Sequence, residues 1–212
     1  MSFGVDMNKT LVSTVTAMKT TRRYTMTARA EAAERTRVRI LDAAVALADT
    51  RLLADISLDD VAATAEVSVQ TVLRRFGSRA GLFEAAREHA VASVTEERRT
   101  PVGDVDAAVR TVVDHYEERG DGVVLKLAQE HTDEAIRTII TGGRALHRTW
   151  VTDAFAPYLP EDADDREAMV DLLAVATDVY TWKQLRRDRG LSRARTEARM
   201  RRLVRALLPH AP

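Results

Sequence analysis

The sequence predicts an all-α chain: a small N-terminal domain of three helices containing a helix-turn-helix, followed by a larger helical C-terminal domain. Three observations lead there. Only 9 glycines and 5 prolines interrupt 212 residues, so long helices meet few breakers. The hydrophobic content of 45% recurs near helical spacing and suffices for a substantial core. Residues Ile56 to Leu82, ISLDDVAATAEVSVQTVLRRFGSRAGL, read as two short capped helices joined by a sharp turn.

The elements follow in order. Residues 1–29 are rich in Thr, Ser and Met without a sustained helical period and are expected to be a disordered tail. Up to residue 30 the chain carries Lys9, Lys19, Arg22, Arg23 and Arg29 against Asp6 alone. Such a tail is either a solvated leader, with the true start at Met7, Met18 or Met26, or a basic arm able to reach a minor groove. A first helix is expected over 30–50 on the spacing of Val38, Ile40, Leu41, Ala44, Val45 and Ala48. Its Arg35, Arg37 and Arg39 suit either solvent or a phosphate.

Ser57 and Asp60 form a capping box, because each side chain can satisfy a free backbone N–H at a helix start. Ser68 caps the next helix, and Val61, Ala62, Ala65, Val67 and Val72 supply the faces on which the two helices close. Val69, Gln70, Thr71, Arg74 and Arg75 then face outward, and no acidic residue occurs from Val67 to Leu82. Such side chains suit a major groove, Gln70 for adenine, Val69 for a thymine methyl and the arginines for guanine or phosphate. Ser78 caps a fourth helix running through Leu82, Phe83, Ala86 and Val94 toward Arg99, which leaves the first domain (30–78) and enters the second (79–212).

From RILDAAVALA (Arg39 to Ala48) through SLDDVAATA and VSVQT to Phe76, Ser78, Arg79 and Leu82, the chain resembles the N-terminal domain of tetracycline-repressor-type (TetR family) transcriptional regulators. The resemblance implies base contacts by Gln70, Thr71 and Arg74 and phosphate contacts by Ser57, Arg75 and Arg79. It also implies a homodimer on a palindromic double-stranded operator, released when a small-molecule effector enters the C-terminal domain. Three positions depart from the family pattern: Glu66 stands where the turn usually has glycine, Leu73 where a tyrosine grips phosphate, and Arg75 where His or Tyr is usual. A non-glycine residue held at positive φ costs on the order of 1 kcal/mol.

Beyond Pro101 and Gly103, helices are expected near 104–118, 122–131, 133–156, 163–188 and 192–208, with breaks at Gly120 and Gly122, Thr132, Pro157 with Pro160, and Gly190. Asp104 to Pro157 holds ten acids against six bases, so this part should not lie on phosphate. The stripe Met200, Leu203, Val204, Leu207 and the preceding Met169, Leu172, Leu173, Tyr180 and Trp182 suit a four-helix dimer seam. The resemblance places an effector pocket among the remaining helices. His115, Tyr116, Gln129, His147 and Trp150 are its candidate contacts, with Leu125, Ile139, Gly143 and Leu146 beside them.

The absence of cysteine removes disulfides and thiolate chemistry and suits a cytoplasmic setting. No apolar run approaches a membrane span. On one helix Glu130 and His131 would point in different directions, leaving one face with only carboxylates from Glu130, Asp133 and Glu134, and no H-E-x-x-H, G-x-S-x-G or phosphate loop occurs. The expectation is a non-enzymatic protein with no cofactor and no metal. A constitutive DNA-binding regulator and a helical protein-interaction scaffold are the competing readings.

Overall fold

The computed structural model describes residues 29–208, in which no strand occurs. The expectation for the basic tail therefore lies outside the described residues, apart from residue 29, which is already helical. Nine α-helices are described: α1 (29–48), α2 (Leu58–Thr64), α3 (Val69–Phe76), α4 (Arg79–Glu97), α5 (Val105–Leu127), α6 (Glu134–Ala154), α7 (Ala163–Ala176), α8 (Val179–Lys183) and α9 (Arg193–Leu207). Short 3₁₀ turns cover Leu53–Asp55 and Ala156–Tyr158, and α8 runs on into a π-type turn over Gln184–Asp188.

Two cores organise these helices. In the first, Ile40, Leu41 and Ala44 of α1 meet Val61, Ala62, Val72 and Leu82, and α6 contributes Ile136 and Ile140. The N-terminal helices are thus seated on the larger domain through shared apolar burial. In the second, α5 lies centrally against α6, α8 and α9, with Val109, Val112, Val113 and Tyr116 packed among Phe155, Leu173, Trp182, Met200 and Val204.

Two boundary expectations are corrected. Gly120 and Gly122 do not break α5, because both are used for close approach. A Cβ at Gly120 would lie 2.5 Å from the Trp182 ring, and one at Gly122 would lie 2.8 Å from the backbone of Asp49. Gly122 thereby lets α5 touch the end of α1. Conversely, the segment expected as one helix over 163–188 is divided at Thr177, where Asp178 starts α8 by accepting from the Tyr180 N–H at 2.8 Å.

Within the protomer the expected dimer stripe divides into buried and exposed residues. Leu173, Trp182, Met200 and Val204 are fully buried within the protomer, because α5 covers α8 and α9 and α6 covers α7. Met169 and Leu207 are partly buried against the same core. Leu172, Val175, Tyr180 and Leu203 remain exposed, Val175 the most so at 67%.

Candidate nucleic-acid interface and cavity

The local chemistry of the α2–α3 unit sets its shape. The Asp60 N–H donates to Ser57 Oγ at 3.1 Å while the Ser57 N–H donates to Asp60 Oδ2 at 2.8 Å, so two of the free donors at the start of α2 are satisfied reciprocally. The Ser57 hydroxyl donating to Asp60 Oδ2 at 2.6 Å, then the Ser57 N–H and the adjacent Arg51, hold the Asp60 carboxyl down at about 2. At the other end of α2 the Val67 N–H reaches Ala62 O at 2.9 Å and the Glu66 N–H reaches Ala63 O at 3.2 Å. That pair is a Schellman closure, which needs a left-handed residue between. Glu66 supplies it at φ 53°, the conformation at which the sequence lacks its glycine.

α3 then starts at Ser68, whose Oγ accepts from the Thr71 N–H at 3.2 Å. It ends at Gly77, φ 74°, from which Ser78 begins α4 by accepting from Gly81 N–H. With Val61, Ala62, Ala65 and Val72 buried, α3 is fixed on one side only. Gln70 and Arg74 are exposed on the other, with Val69, Thr71, Leu73 and Arg75 half-buried beside them. Among the described residues neither arginine meets a carboxylate, and Arg75 Nε is enclosed without a partner. This face therefore carries cationic donors with free hydrogen-bonding capacity, as an anionic groove requires.

Two expected contacts are placed differently. Thr71 Oγ1 lies 3.0 Å from Ser68 Oγ, so its hydroxyl is partly engaged by the cap. Arg79 is a structural tie: its Nε donates to Ile56 O at 2.9 Å, Nη2 donates to Leu53 O, and the guanidinium lies 4.8 Å from the Phe83 ring. Those carbonyls face the N-terminal end of α4 and engage two of the five guanidinium N–H donors.

Above this unit a cavity of about 510 Å³ opens between α1, α4, α5, α6 and the α7–α8 junction, within the size range of small-molecule sites. His115, Tyr116 and His147 line it, as do Ile139, Gly143 and Leu146. Gln129 and Leu125 do not. The Gln129 amide donates to the Leu125 carbonyl at the end of α5. Trp150 is also displaced from the expected lining: its indole donates to Arg98 O at 2.9 Å, and its ring faces an adjoining cleft.

Arg98, unassigned by sequence, is the principal polar group here. It is 5% exposed and donates from Nη2 to His147 Nδ1 at 2.7 Å, with its guanidinium 4.4 Å from the Trp150 ring. The other nitrogen of His147 therefore bears the proton, facing Ala174 O at 3.3 Å and Thr177 Oγ1 at 3.1 Å. Burial, then the adjacent Arg98 charge, lowers His147 to about 3 and His115 to about 4, so both rings are neutral near pH 7. Burial also lowers Arg98. One signal in the sequence pointed to Arg98: it continues the four-residue row Leu82, Ala86, Ala90, Val94 along the inner side of α4.

Residues 40–86 match the family model of bacterial regulatory proteins of the tetR family. In overall fold the chain is similar to a tetR-family transcriptional regulator from Streptomyces coelicolor, with a TM-score of 0.64 and 19% identity over 82% of this chain and 80% of that one. It is similar also to GusR of Salmonella enterica (0.60, 20% identity, 82% and 95% covered). A transcriptional regulator from a Rhodococcus species gives 0.59 at 16% identity, with 81% and 95% covered. At these identities the likeness is one of fold. No curated protein matches the chain in sequence.

Proposed function

From the premise that residues 40–86 form the N-terminal domain of a tetR-family transcriptional regulator, we propose that this chain is a cytoplasmic homodimeric repressor, released from a palindromic operator by a small-molecule effector. The observation that carries the DNA reading is the α3 face: Gln70 and Arg74 are exposed, Arg75 is half-buried, no acid lies between Val67 and Leu82, and a doubly capped, apolar-backed helix presents them. Gln70 and Arg74 are the base readers, with Val69 on a thymine methyl and Thr71 at the groove edge. Arg75 and the Ser57 end of α2 meet phosphate.

Two recognition helices must reach half-sites roughly 34–36 Å apart, one turn of duplex, which a monomer cannot do. Four exposed apolar residues on α7–α9, Leu172, Val175, Tyr180 and Leu203, provide a face for a second copy. The 510 Å³ cavity against α4 supports an effector, because α4 is the helix that continues out of the DNA-binding domain. No described helix is long and apolar enough to cross a membrane.

The test is selection of bound fragments from random duplex, followed by titration of Arg74→Ala and Arg75→Ala on selected and scrambled duplexes at two salt concentrations. Arg74→Ala should lose about 1–3 kcal/mol on the selected site and little on the scrambled one. Arg75→Ala should weaken both alike and lower the salt slope by roughly one. Equal losses on both duplexes for Arg74→Ala would remove it from base reading.

A further inference from the structure

The cavity beside α4 is lined by six cationic side chains, and five of them are neutralised within the protomer. Arg87 pairs with Glu84, Arg119 with Glu97, Lys126 with Asp49, Arg144 with Glu130 and Arg148 with Asp171. Arg98 is the sixth. Among the described residues it has no carboxylate partner, although it is the most deeply buried of the six. Its Nε is enclosed and makes no hydrogen bond, and neither does His115 Nδ1 in the same cavity. The one group facing its fork is the neutral His147 ring, which absorbs one N–H and no charge.

A buried cation compensated only by an imidazole and an aromatic face is an unfavourable arrangement for a protein that must also exist without ligand. Around it the wall is chiefly apolar, with Val45, Phe83, Val94, Val123, Ile139 and Leu146. The remaining acids are not free to act as the counterion. Asp49 is held by Lys126 at 2.5 Å, Glu97 by Arg119 at 2.6 Å, and Asp178 caps α8.

Resting on the effector reading above, we infer that the effector is an organic monoanion, a carboxylate on a mainly apolar body, with Arg98 as its counterion. One unpaired guanidinium matches one negative charge, and its planar fork suits two carboxylate oxygens. The orphaned Arg98 Nε gains an acceptor, and His115, 3.7 Å from the Glu97 carboxylate through Nδ1, lines the cavity within which the anion sits. A cationic ligand would instead add a second buried positive charge beside Arg98, and a neutral one would leave the first uncompensated. In taking the anion, Arg98 exchanges its His147 contact for a stronger charge-assisted one.

The experiment compares octanoate, 1-octanol and octylamine at pH 7.5 by calorimetry on the full chain, with Trp150 fluorescence as a second readout, for the wild type, Arg98→Met and Arg98→Lys. The wild type is expected to bind octanoate at least tenfold tighter than octanol, with octylamine weakest. Arg98→Met, checked for a folded state by thermal unfolding, should keep its octanol affinity and lose the preference for octanoate, whereas Arg98→Lys should keep a reduced preference. Octanol binding the wild type as tightly as octanoate, or Arg98→Met retaining the preference, overturns the inference and leaves the cavity standing. If none of the three is taken up while duplex is still bound, the effector reading fails along with this inference and the DNA-binding one survives.

Discussion

Replacing Glu66 by glycine tests whether the turn between α2 and α3 stores strain. Glu66 sits at φ 53°, held there by the Val67 N–H to Ala62 O and Glu66 N–H to Ala63 O bonds of the Schellman closure. A side-chain-bearing residue in this region costs about 1–2 kcal/mol relative to its right-handed alternatives. Glycine removes that cost and adds about 0.4–1 kcal/mol of unfolded-chain entropy, so Glu66→Gly should gain about 0.5–1 kcal/mol. For a chain of this size the gain corresponds to a midpoint rise of about 1–4 °C. The Glu66 side chain is exposed and forms no ion pair among the described residues, so little is lost with it. Glu66→Ala is the control, since it removes the same charge and keeps the strain. Thermal unfolding followed by circular dichroism, with duplex titration of both variants, separates the two effects. Both should bind DNA more tightly through loss of a negative charge, and only the glycine variant should be more stable. Equal midpoints for the two variants would refute the argument.

The same substitution at two glycines of the larger domain should act with opposite sign. Gly122→Ala drives a Cβ to 2.8 Å from the Asp49 backbone and should cost about 1–3 kcal/mol, whereas Gly142→Ala, with nothing within 4 Å, should gain about 1 kcal/mol of helix propensity. Urea titrations of the pair decide it. The unfolded chain protonates His147 near 6.5 while the folded one keeps it neutral to about 3. Its contribution is therefore complete above pH 6.5 and is lost progressively as pH falls toward 3. His147→Asn should flatten the stability profile across that window, and an unchanged profile would mean the ring is not buried neutral. Leu172→Glu with Leu203→Glu, at exposed positions on α7 and α9, should yield a folded monomer by sedimentation that loses cooperative operator binding. A dimer that persists would move the interface elsewhere.

Signals that act within a few residues were readable from sequence, and those that depend on what packs opposite were not. Ser57 with Asp60, Ser68 and Ser78 each satisfy a donor three residues away, so the starts of α2, α3 and α4 were evident. The glycine penalty at 120 and 122 is also local, but α5 overrides it because only hydrogen fits beneath Trp182 and beside Asp49. The break at Asp178 was hidden because Val170, Leu173, Ala176 and Val179 maintain an apolar period across it. Periodicity identified the buried side of α9 and could not say what buries it. Within the protomer Met200 and Val204 are covered by α5. Arg79 shows the same limit for charge, looking like one more surface arginine until the carbonyls of Leu53 and Ile56 are placed against it, and the row along α4 turns Arg98 inward without naming the His147 ring that meets it.

The attachments of α4 explain how the proposed anion would reach the recognition helix. At its C-terminal end, Glu97 is held to α5 by Arg119 and Arg98 is held to α6 by His147. At its N-terminal end, roughly 28 Å away for 19 residues, Arg79 is bound to the carbonyls of Leu53 and Ile56 ahead of α2, and the short turn at Gly77 leads directly to α3. Neither end has slack in which a displacement could be absorbed. The end of α1 is meanwhile pinned on α5, by Gly122 against its backbone and by Lys126 on Asp49 at 2.5 Å. If the anion takes Arg98 from His147, one of the two ties of this end of α4 to α6 is released, the Trp150 indole on Arg98 O and the α1 pin remaining, so the proposed movement is a small rotation of α1–α3 about the end of α1. Such a rotation alters the separation of two recognition helices in a dimer while leaving each helix-turn-helix intact, and the ligand's preference for the rotated form sets how far the population shifts.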